Sequence, residues 1–302
     1  MVLALVASAV LTASPAAQDY LPHRVFDTAA RQFTDFEAMA AALSRADVVF
    51  VGEQHDDPNT HRLESALLQA LGARRDGIVL SLEMFERDVQ PQLNQFLAGD
   101  LTEEAFLKDS RPWPRYQTDY KALVDYAKEK GWPVIAANVP RPIAAEVAKS
   151  GREILDSKSD AEKAWFAADR QCPTGEDEYF QRFSEVMGGH AGVDMLQRYY
   201  DSQCLKDETM AESIVDAWRA AAGVPGPTRP LVVHYNGAFH SDFALGTASR
   251  VRRRLPDQGI AVVTMVPLDT IRDLDTVTPD DEDLARARFL VYTVKKIDEV
   301  AR

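Results

Sequence analysis

The stretch Val48-Val49-Phe50-Val51-Gly52-Glu53-Gln54-His55 joins a short apolar run to a glutamate and a histidine. Comparable β-branched runs recur along the chain at 78–82, 134–137, 231–233 and 260–266, with a sixth candidate at 289–294. The first five do not alternate cleanly with polar residues, which is typical of strands buried on both faces of a parallel sheet.

Helix signals lie between these runs. After the first run, Asp57 can cap a helix and Pro58 fits its first turn, while Leu63, Leu67 and Leu71 repeat every four residues. A further helix is predicted over roughly 247–255, between the fourth and fifth runs. The alternation of strands and helices predicts an α/β fold, with a mainly parallel sheet flanked by helices in three layers.

The stretch from about 141 to 226 contains no convincing strand. Ser159 and Glu162 form a capping-box pattern there, and many aromatic and methionine residues follow. We therefore predict an all-helical subdomain inserted between the third and fourth strands of a single domain, 18–302. Most of its apolar residues fit a helical core, and a minority could line a ligand pocket.

The first 17 residues carry no charge, are mostly apolar over 2–13, and end in small residues, which is typical of a secretory signal. No later segment approaches the roughly 18 consecutive apolar residues of a membrane span. We therefore predict a periplasmic or secreted protein without stable membrane insertion. In an exported chain, two cysteines suggest a disulfide between Cys172 and Cys204, whereas in a reduced compartment both would be free thiols.

The formal net charge is -13, and 46% of the residues are hydrophobic. An acidic surface disfavours nucleic acid and anionic membranes as partners, because both would repel it. The composition is compatible with a carrier or an enzyme for small molecules.

Polar side chains stand where the predicted strands end. In open α/β sheets, ligands bind beyond the carboxyl ends of the strands, where the loops converge. A buried carboxylate there also needs a partner or a cation, because burying it alone is costly. We therefore predict one site at this edge, formed by Glu53, His55, Glu83, Asn138, Asn236 and His240.

Two Gly-x-x-His motifs, 52–55 and 237–240, each directly follow a predicted strand. The glycine permits a sharp turn or a close backbone approach. The histidine can then direct a titratable, metal-binding ring back towards the sheet edge. Glu83, at the end of another strand, strengthens the prediction of a common site.

Several stretches of the chain resemble the ChaN family. The similarity runs from about 48 to 266, and that family is associated with haem binding and iron uptake and looks related to Tiki-type metalloproteases and erythromycin esterases. Many relatives look like lipoproteins, whereas this chain lacks a cysteine after its apolar start. The stretches are Val51-Gly52-Glu53-Gln54-His55-Asp56, Ser81-Leu82-Glu83-Met84-Phe85, Ala137-Asn138-Val139-Pro140-Arg141, Met187-Gly188-Gly189-His190, Gln203-Cys204-Leu205-Lys206-Asp207-Glu208-Thr209-Met210-Ala211 and Asn236-Gly237-Ala238-Phe239-His240.

The resemblance implies haem as the ligand, and two copies of the chain sandwiching it are conceivable. Haem needs an apolar slot and an axial His, Tyr or Met ligand. Arg141 could bind a propionate bidentately. Spacing does not select among the candidates, each of which could instead be a core or surface residue. The predicted haem-binding residues are His190, Tyr199, Tyr200, Met187, Arg141 and Asn138.

A second hypothesis is hydrolysis at the same edge. Glu53, His55, Glu83 and His240 have the right chemistry to hold Zn²⁺ or Mn²⁺, which would activate a bound water. Without a metal, a Glu–His pair could perform the acid–base steps directly, as the resemblance to the esterases suggests. A hydrogen-bond network that only shapes the loops is the third alternative. The residues leave open whether the chain is an enzyme.

Overall fold

The structure is a computed structural model that describes residues 20–175, 177–187, 192–224 and 229–295. The predicted signal segment, 1–17, lies outside the described residues. Eight strands form one sheet in the order β2-β1-β8-β7-β3-β6-β4-β5. Their bounds are β1 His23–Asp27, β2 Gln32–Thr34, β3 Val48–Glu53, β4 Ile78–Glu86, β5 Val134–Asn138, β6 Leu231–Gly237, β7 Ile260–Leu268 and β8 Phe289–Val294.

The predicted mainly parallel sheet is confirmed, and each of the six apolar runs forms one of its strands. β3 lies between β6 and β7 and pairs in parallel with both. β4 pairs in parallel with β5 and β6, and β7 with β8. The sequence did not predict β1 and β2, which add to the sheet in antiparallel orientation beyond β8.

Helices cover both faces of the sheet. Val49 and Val51 of β3 pack on the side of α2, whereas Val48 and Phe50 pack on the side of α9. Alternate β3 residues therefore enter opposite cores, as expected for a strand buried on both faces. The helices are α1 Phe36–Leu43, α2 Pro58–Gly72, α3 Gln90–Ala98, α4 Glu103–Asp109, α5 Lys121–Lys130, α6 Arg141–Ser150, α7 Asp160–Lys163, α8 Glu178–Val186, α9 Val193–Ala222, α10 Gly246–Arg254, α11 Ile271–Thr276 and α12 Asp281–Arg286.

Between β5 and β6 the described residues are helical or irregular, without a strand. The 30-residue α9 packs against α6, α10 and β5. Ile214 and Val215 of α9 join the core that lies under β3. The long helix of the insert is therefore part of the layer that covers the sheet. Within the described chain, no helix is both long and apolar enough to cross a membrane.

The predicted disulfide is confirmed. Cys172 and Cys204 are bonded, with their Cα atoms 5.5 Å apart. The bond ties the irregular segment before α8 to the middle of α9. A structural disulfide indicates an oxidising compartment.

We expect the double variant Cys172→Ser/Cys204→Ser to lose about 3–4 kcal/mol of unfolding free energy, because closing a loop of this length restricts the unfolded chain. Urea unfolding of the variant and of the oxidised wild type would measure the difference. Wild-type protein kept in excess reductant is the matched control and should unfold like the variant. A difference below about 1 kcal/mol would contradict the entropic account.

Candidate functional site at the carboxyl edge of the sheet

A cavity of about 320 Å³ opens where β3 and β6 end. The strand register explains its location, because Glu53 of β3 lies opposite Gly237 of β6. The two Gly-x-x-His motifs therefore leave the sheet side by side, and both of their histidines line the same cavity. The lining residues are Glu53, Gln54, His55, Phe183, Val186, Gln203, Gly237, Ala238, Phe239 and His240.

Glu53 is the buried carboxylate at the centre of the first half of the site. Its Oε1 accepts hydrogen bonds from His55 Nδ1 at 2.5 Å and from the Tyr120 hydroxyl at 2.7 Å. Its Oε2 lies 3.3 Å from His61 Nδ1. Burial alone would raise the pKa of Glu53, but the hydrogen bond from His55 and the nearby His61 imidazole lower it to about 2. Glu53 is therefore ionised at neutral pH.

His55 carries the most exposed ring of the site, with 44% of its side chain accessible. Trp113 meets this ring edge-on, with their centroids 4.8 Å apart. A Cβ on Gly237 would lie only 2.7 Å from His55 Nε2, so the absence of a side chain there makes room for the ring. Burial opposes protonation of His55, but the hydrogen bond with Glu53 and the charge of Glu83 leave its pKa raised.

The second half of the site is a buried chain of Glu83, His240 and Asp207. Glu83 Oε2 accepts a hydrogen bond from the Gly237 backbone N–H at 2.7 Å, and its Oε1 lies 3.4 Å from His240 Nε2. His240 Nδ1 donates to Asp207 Oδ1 at 2.7 Å. Burial would lower the pKa of His240, but the two carboxylates raise it to about 10. The ring is therefore a buried cation at neutral pH.

This shift makes stability depend on pH. A histidine whose pKa rises from 6.5 to about 10 on folding contributes stability that is complete below pH 6.5 and lost as the pH approaches 10. We expect the difference in unfolding free energy between wild type and His240→Gln to shrink over this range by about 1.4 kcal/mol per pH unit. Urea unfolding at pH 6, 8 and 9.5 would measure it. A difference that stays constant with pH would contradict a charged His240.

Three site residues were not predicted from the sequence: Tyr120, Gln203 and Asp207. For His61, one turn into α2, the sequence left open whether it faces the site or the solvent. Tyr120 ends a π-helical turn, Tyr116–Tyr120, which directs its hydroxyl at Glu53. Gln203 Nε2 lies 3.3 Å from His240 Nδ1. Helical periodicity could have indicated two of these residues as buried. His61 lies on the face of α2 that carries its buried leucines, and Asp207 lies on the buried face of α9. A polar residue on such a face requires a partner.

None of the predicted haem-binding residues within the described chain lines the cavity. Tyr200 is fully buried against Phe180 and Phe183. Arg141 forms an ion pair with Glu86, and the side chain of Asn138 accepts from the Val139 backbone. Tyr199 is 36% exposed, and Met187 packs against the cluster around Tyr200. His190 lies outside the described residues.

The four predicted metal ligands form two separate pairs, Glu53 with His55 and Glu83 with His240. Three of them line the cavity, and Glu83 lies behind it, against His240 and the Gly237 backbone. Each histidine directs Nδ1 at a buried carboxylate, which fixes the ring and leaves Nε2 towards the interior of the site. Carboxylate–imidazole pairs of this kind orient histidines as metal or haem ligands and as acid–base groups. The fold and the cavity together define an α/β protein with a polar cavity at the carboxyl edge of its sheet.

Residues 39–251 match the family model described as "Haem-binding uptake, Tiki superfamily, ChaN". The match covers more than half of the chain, so the protein belongs to this family. The resemblance inferred from the sequence is thereby confirmed, and the family is one of haem-binding and uptake type.

A solved structure from this family shows the same fold. ChaN of Campylobacter jejuni, whose structure is described as showing cofacial haem binding, superposes with a TM-score of 0.65 at 16% identity, covering 90% of this chain and 96% of that one. An erythromycin esterase in its open conformation gives a TM-score of 0.46 at 13% identity, covering 91% and 83%.

Among curated proteins, the chloroplastic Protein RETICULATA-RELATED 5 of Arabidopsis thaliana is 27% identical over 246 residues, or 74% of this chain. The match covers 32% of that protein, so the chain spans about a third of its curated relative.

Proposed function

We propose that this protein binds haem in the cavity at the sheet edge, with His55 Nε2 as the axial ligand to iron, and that it serves haem or iron uptake in the periplasm. The observation that carries the proposal is the half-exposed His55 ring, whose Nδ1 is held by a buried carboxylate at 2.5 Å. Family membership supports haem as the ligand.

The Glu53–His55 pair supplies what an axial ligand requires. Glu53 keeps a proton on Nδ1, so when iron displaces the proton of Nε2, that atom offers its lone pair as the ligand. The hydrogen bond also increases the basicity of the imidazole, which strengthens the donation of electrons to iron. Haem ligation through a neutral imidazole is a common mode in proteins.

The cavity wall suits one face of a porphyrin. Phe183, Val186, Ala238 and Phe239 contribute apolar surface beside the two histidines. Val186 is 72% exposed, and Val193 is 85% exposed at the start of α9. Bound haem would cover part of this surface. A second copy of the chain would cover the remainder, an arrangement compatible with the cofacial haem binding described for the Campylobacter protein.

A hemin titration of the apo-protein tests the proposal. We expect a saturable Soret shift at one haem per chain, with an increase in apparent mass on size-exclusion chromatography if two copies enclose the ligand. The exported, oxidised protein with its disulfide is the form to use. A Soret change that stays proportional to added hemin, without saturation, would contradict a built site.

A second candidate function is hydrolysis, favoured by the two carboxylate–imidazole pairs around one cavity. His55 would act as general base through Nε2, and the cationic His240 would stabilise developing negative charge. If Zn²⁺ or Mn²⁺ takes part, Glu53, His55, Glu83 and His240 are its proposed ligands. A panel of esters and peptides, tested with wild type and Glu53→Ala, would decide the point. Hydrolysis that is lost in the variant, without saturable hemin binding, would favour the hydrolase.

A further inference from the structure

A second polar cluster joins Glu53 to two buried residues of α2 that do not line the cavity. It consists of Glu53, His61 and Glu64. Asp57 caps α2, so His61 and Glu64 stand three residues apart on the face that packs under β3. His61 Nδ1 lies 2.9 Å from Glu64 Oε2 and 3.3 Å from Glu53 Oε2, and all three side chains are at most 2% exposed.

Two carboxylate oxygens of this cluster have no hydrogen-bond partner. They are Glu53 Oε2 and Glu64 Oε1, both fully buried. An unpaired buried carboxylate oxygen is costly, and a cation is the group that removes the cost without water. The two atoms therefore indicate a missing positive group in the cluster.

The charges of the cluster leave room for a further cation. Glu53 Oε1 already pairs with His55, and the neighbouring Asp119, 3.4 Å from His61 Nε2, pairs with Arg115 at 2.7 Å. On the side of α2, Glu53 Oε2 and Glu64 Oε2 share a single imidazole, that of His61. Either a proton or a metal ion can supply the positive group that the unpaired oxygens lack.

We propose that Glu53, His61 and Glu64 bind one divalent cation of the Zn²⁺ class. The three ligand atoms lie within 4.8 Å of one another. The separations of 2.9 and 3.3 Å from Nδ1 are close to the ~3.3 Å edge of a tetrahedron with ~2.0 Å metal–ligand bonds. His61 Nε2 lies 3.2 Å from the His55 carbonyl oxygen, so it can donate there and leave the Nδ1 lone pair for the ion.

This site shares Glu53 with the cavity but uses its other carboxylate oxygen, so it does not require haem in the cavity. The ion would engage Oε2 of Glu53, whereas Oε1 holds His55 and Tyr120. It would therefore fix the carboxylate that orients His55 without contacting a ligand in the cavity. Its role is structural, and its presence is measurable whether or not haem binds.

Zinc uptake during refolding tests the proposal. The oxidised full-length chain is unfolded in guanidinium chloride with a chelator, refolded with or without Zn²⁺, dialysed and assayed for metal content. Two variants replace buried glutamates by the isosteric amide: Glu64→Gln in the cluster and Glu83→Gln beside His240, outside the cluster. We expect one zinc per chain in wild type and in Glu83→Gln, and at least a tenfold loss of zinc in Glu64→Gln.

Two results would overturn the proposal. Wild type that refolds without zinc, with Glu64→Gln equally stable, would show that a proton on Glu64 supplies the charge. Zinc that is lost in Glu83→Gln but retained in Glu64→Gln would place the metal beside His240, outside the cluster. If Glu64→Gln does not fold, Co²⁺ in the wild type decides: the proposal expects visible absorption bands typical of tetrahedral coordination and a higher unfolding temperature, and the absence of both would contradict it.

Discussion

Hemin added to His55→Ala is expected to bind at least about a hundredfold more weakly than to wild type, and its Soret band should lose the shift of an imidazole-ligated iron. The estimate follows from metal sites in which the loss of a residue that only orients a ligand costs ~10–100-fold in affinity. Removing the proposed ligand itself should cost more. Glu53→Gln weakens the hydrogen bond that holds His55 but keeps the imidazole ring, so its hemin affinity should lie between those of His55→Ala and wild type. Hemin titrations followed at the Soret band measure all three affinities.

Hemin adsorbs to many protein surfaces, so this experiment needs a control. His23→Ala removes a histidine of β1 whose ring packs edge-on against Phe36, outside the cavity. We expect this variant to bind hemin as wild type does. Equal losses of hemin affinity in His23→Ala and His55→Ala, or no loss of affinity in either variant, would contradict His55 as the axial ligand.

Asp207→Ala is expected to lower the unfolding free energy by about 3–5 kcal/mol, the range for breaking a buried ion pair from one side. Asp207 is fully buried and accepts hydrogen bonds from His240, Tyr179 and Thr247. Its removal leaves a cationic imidazole with Glu83 as its remaining charged partner, at 3.4 Å. Near pH 6, His240 is charged in both the folded and the unfolded protein, so urea unfolding at this pH should show the largest loss of unfolding free energy.

Asp201→Ala is the matched control for this prediction. Asp201 lies on the same helix, α9, and is also buried, but its recorded side-chain partner is the neutral Gln197. The loss of that hydrogen bond should cost about 0.5–1.5 kcal/mol. Similar losses in both variants would indicate that the effect of Asp207 comes from helix packing and not from the His240 network.

The core of the fold was predictable because a strand buried on both faces consists of a short run of apolar residues. All six such runs became strands, and the position of the site followed from the carboxyl ends of a parallel sheet. β1 and β2 escaped prediction because they add at the sheet edge, where Arg24 and Gln32 alternate with apolar residues and one side remains accessible. Such mixed segments lack the continuous apolar signal of a central strand.

Side-chain direction within the helical insert was not predictable from residue type. Tyr199 and Tyr200 are adjacent candidates, yet one is 36% exposed and the other fully buried, because consecutive residues of a helix point about 100° apart. His61 and Asp207 also belong to the site, but leucines and small residues dominate the buried faces of the helices that carry them. Their polar side chains on buried faces are the signal that helical periodicity provides.

The absorption spectrum of the protein purified from haem-replete cells shows whether haem occupies the cavity with His55 as its ligand. If the cavity is a haem site with His55 as axial ligand, the protein should co-purify with a Soret-absorbing chromophore at close to one haem per chain, and His55→Ala should purify without it. Colourless wild-type protein, or equal chromophore in wild type and variant, would contradict the account.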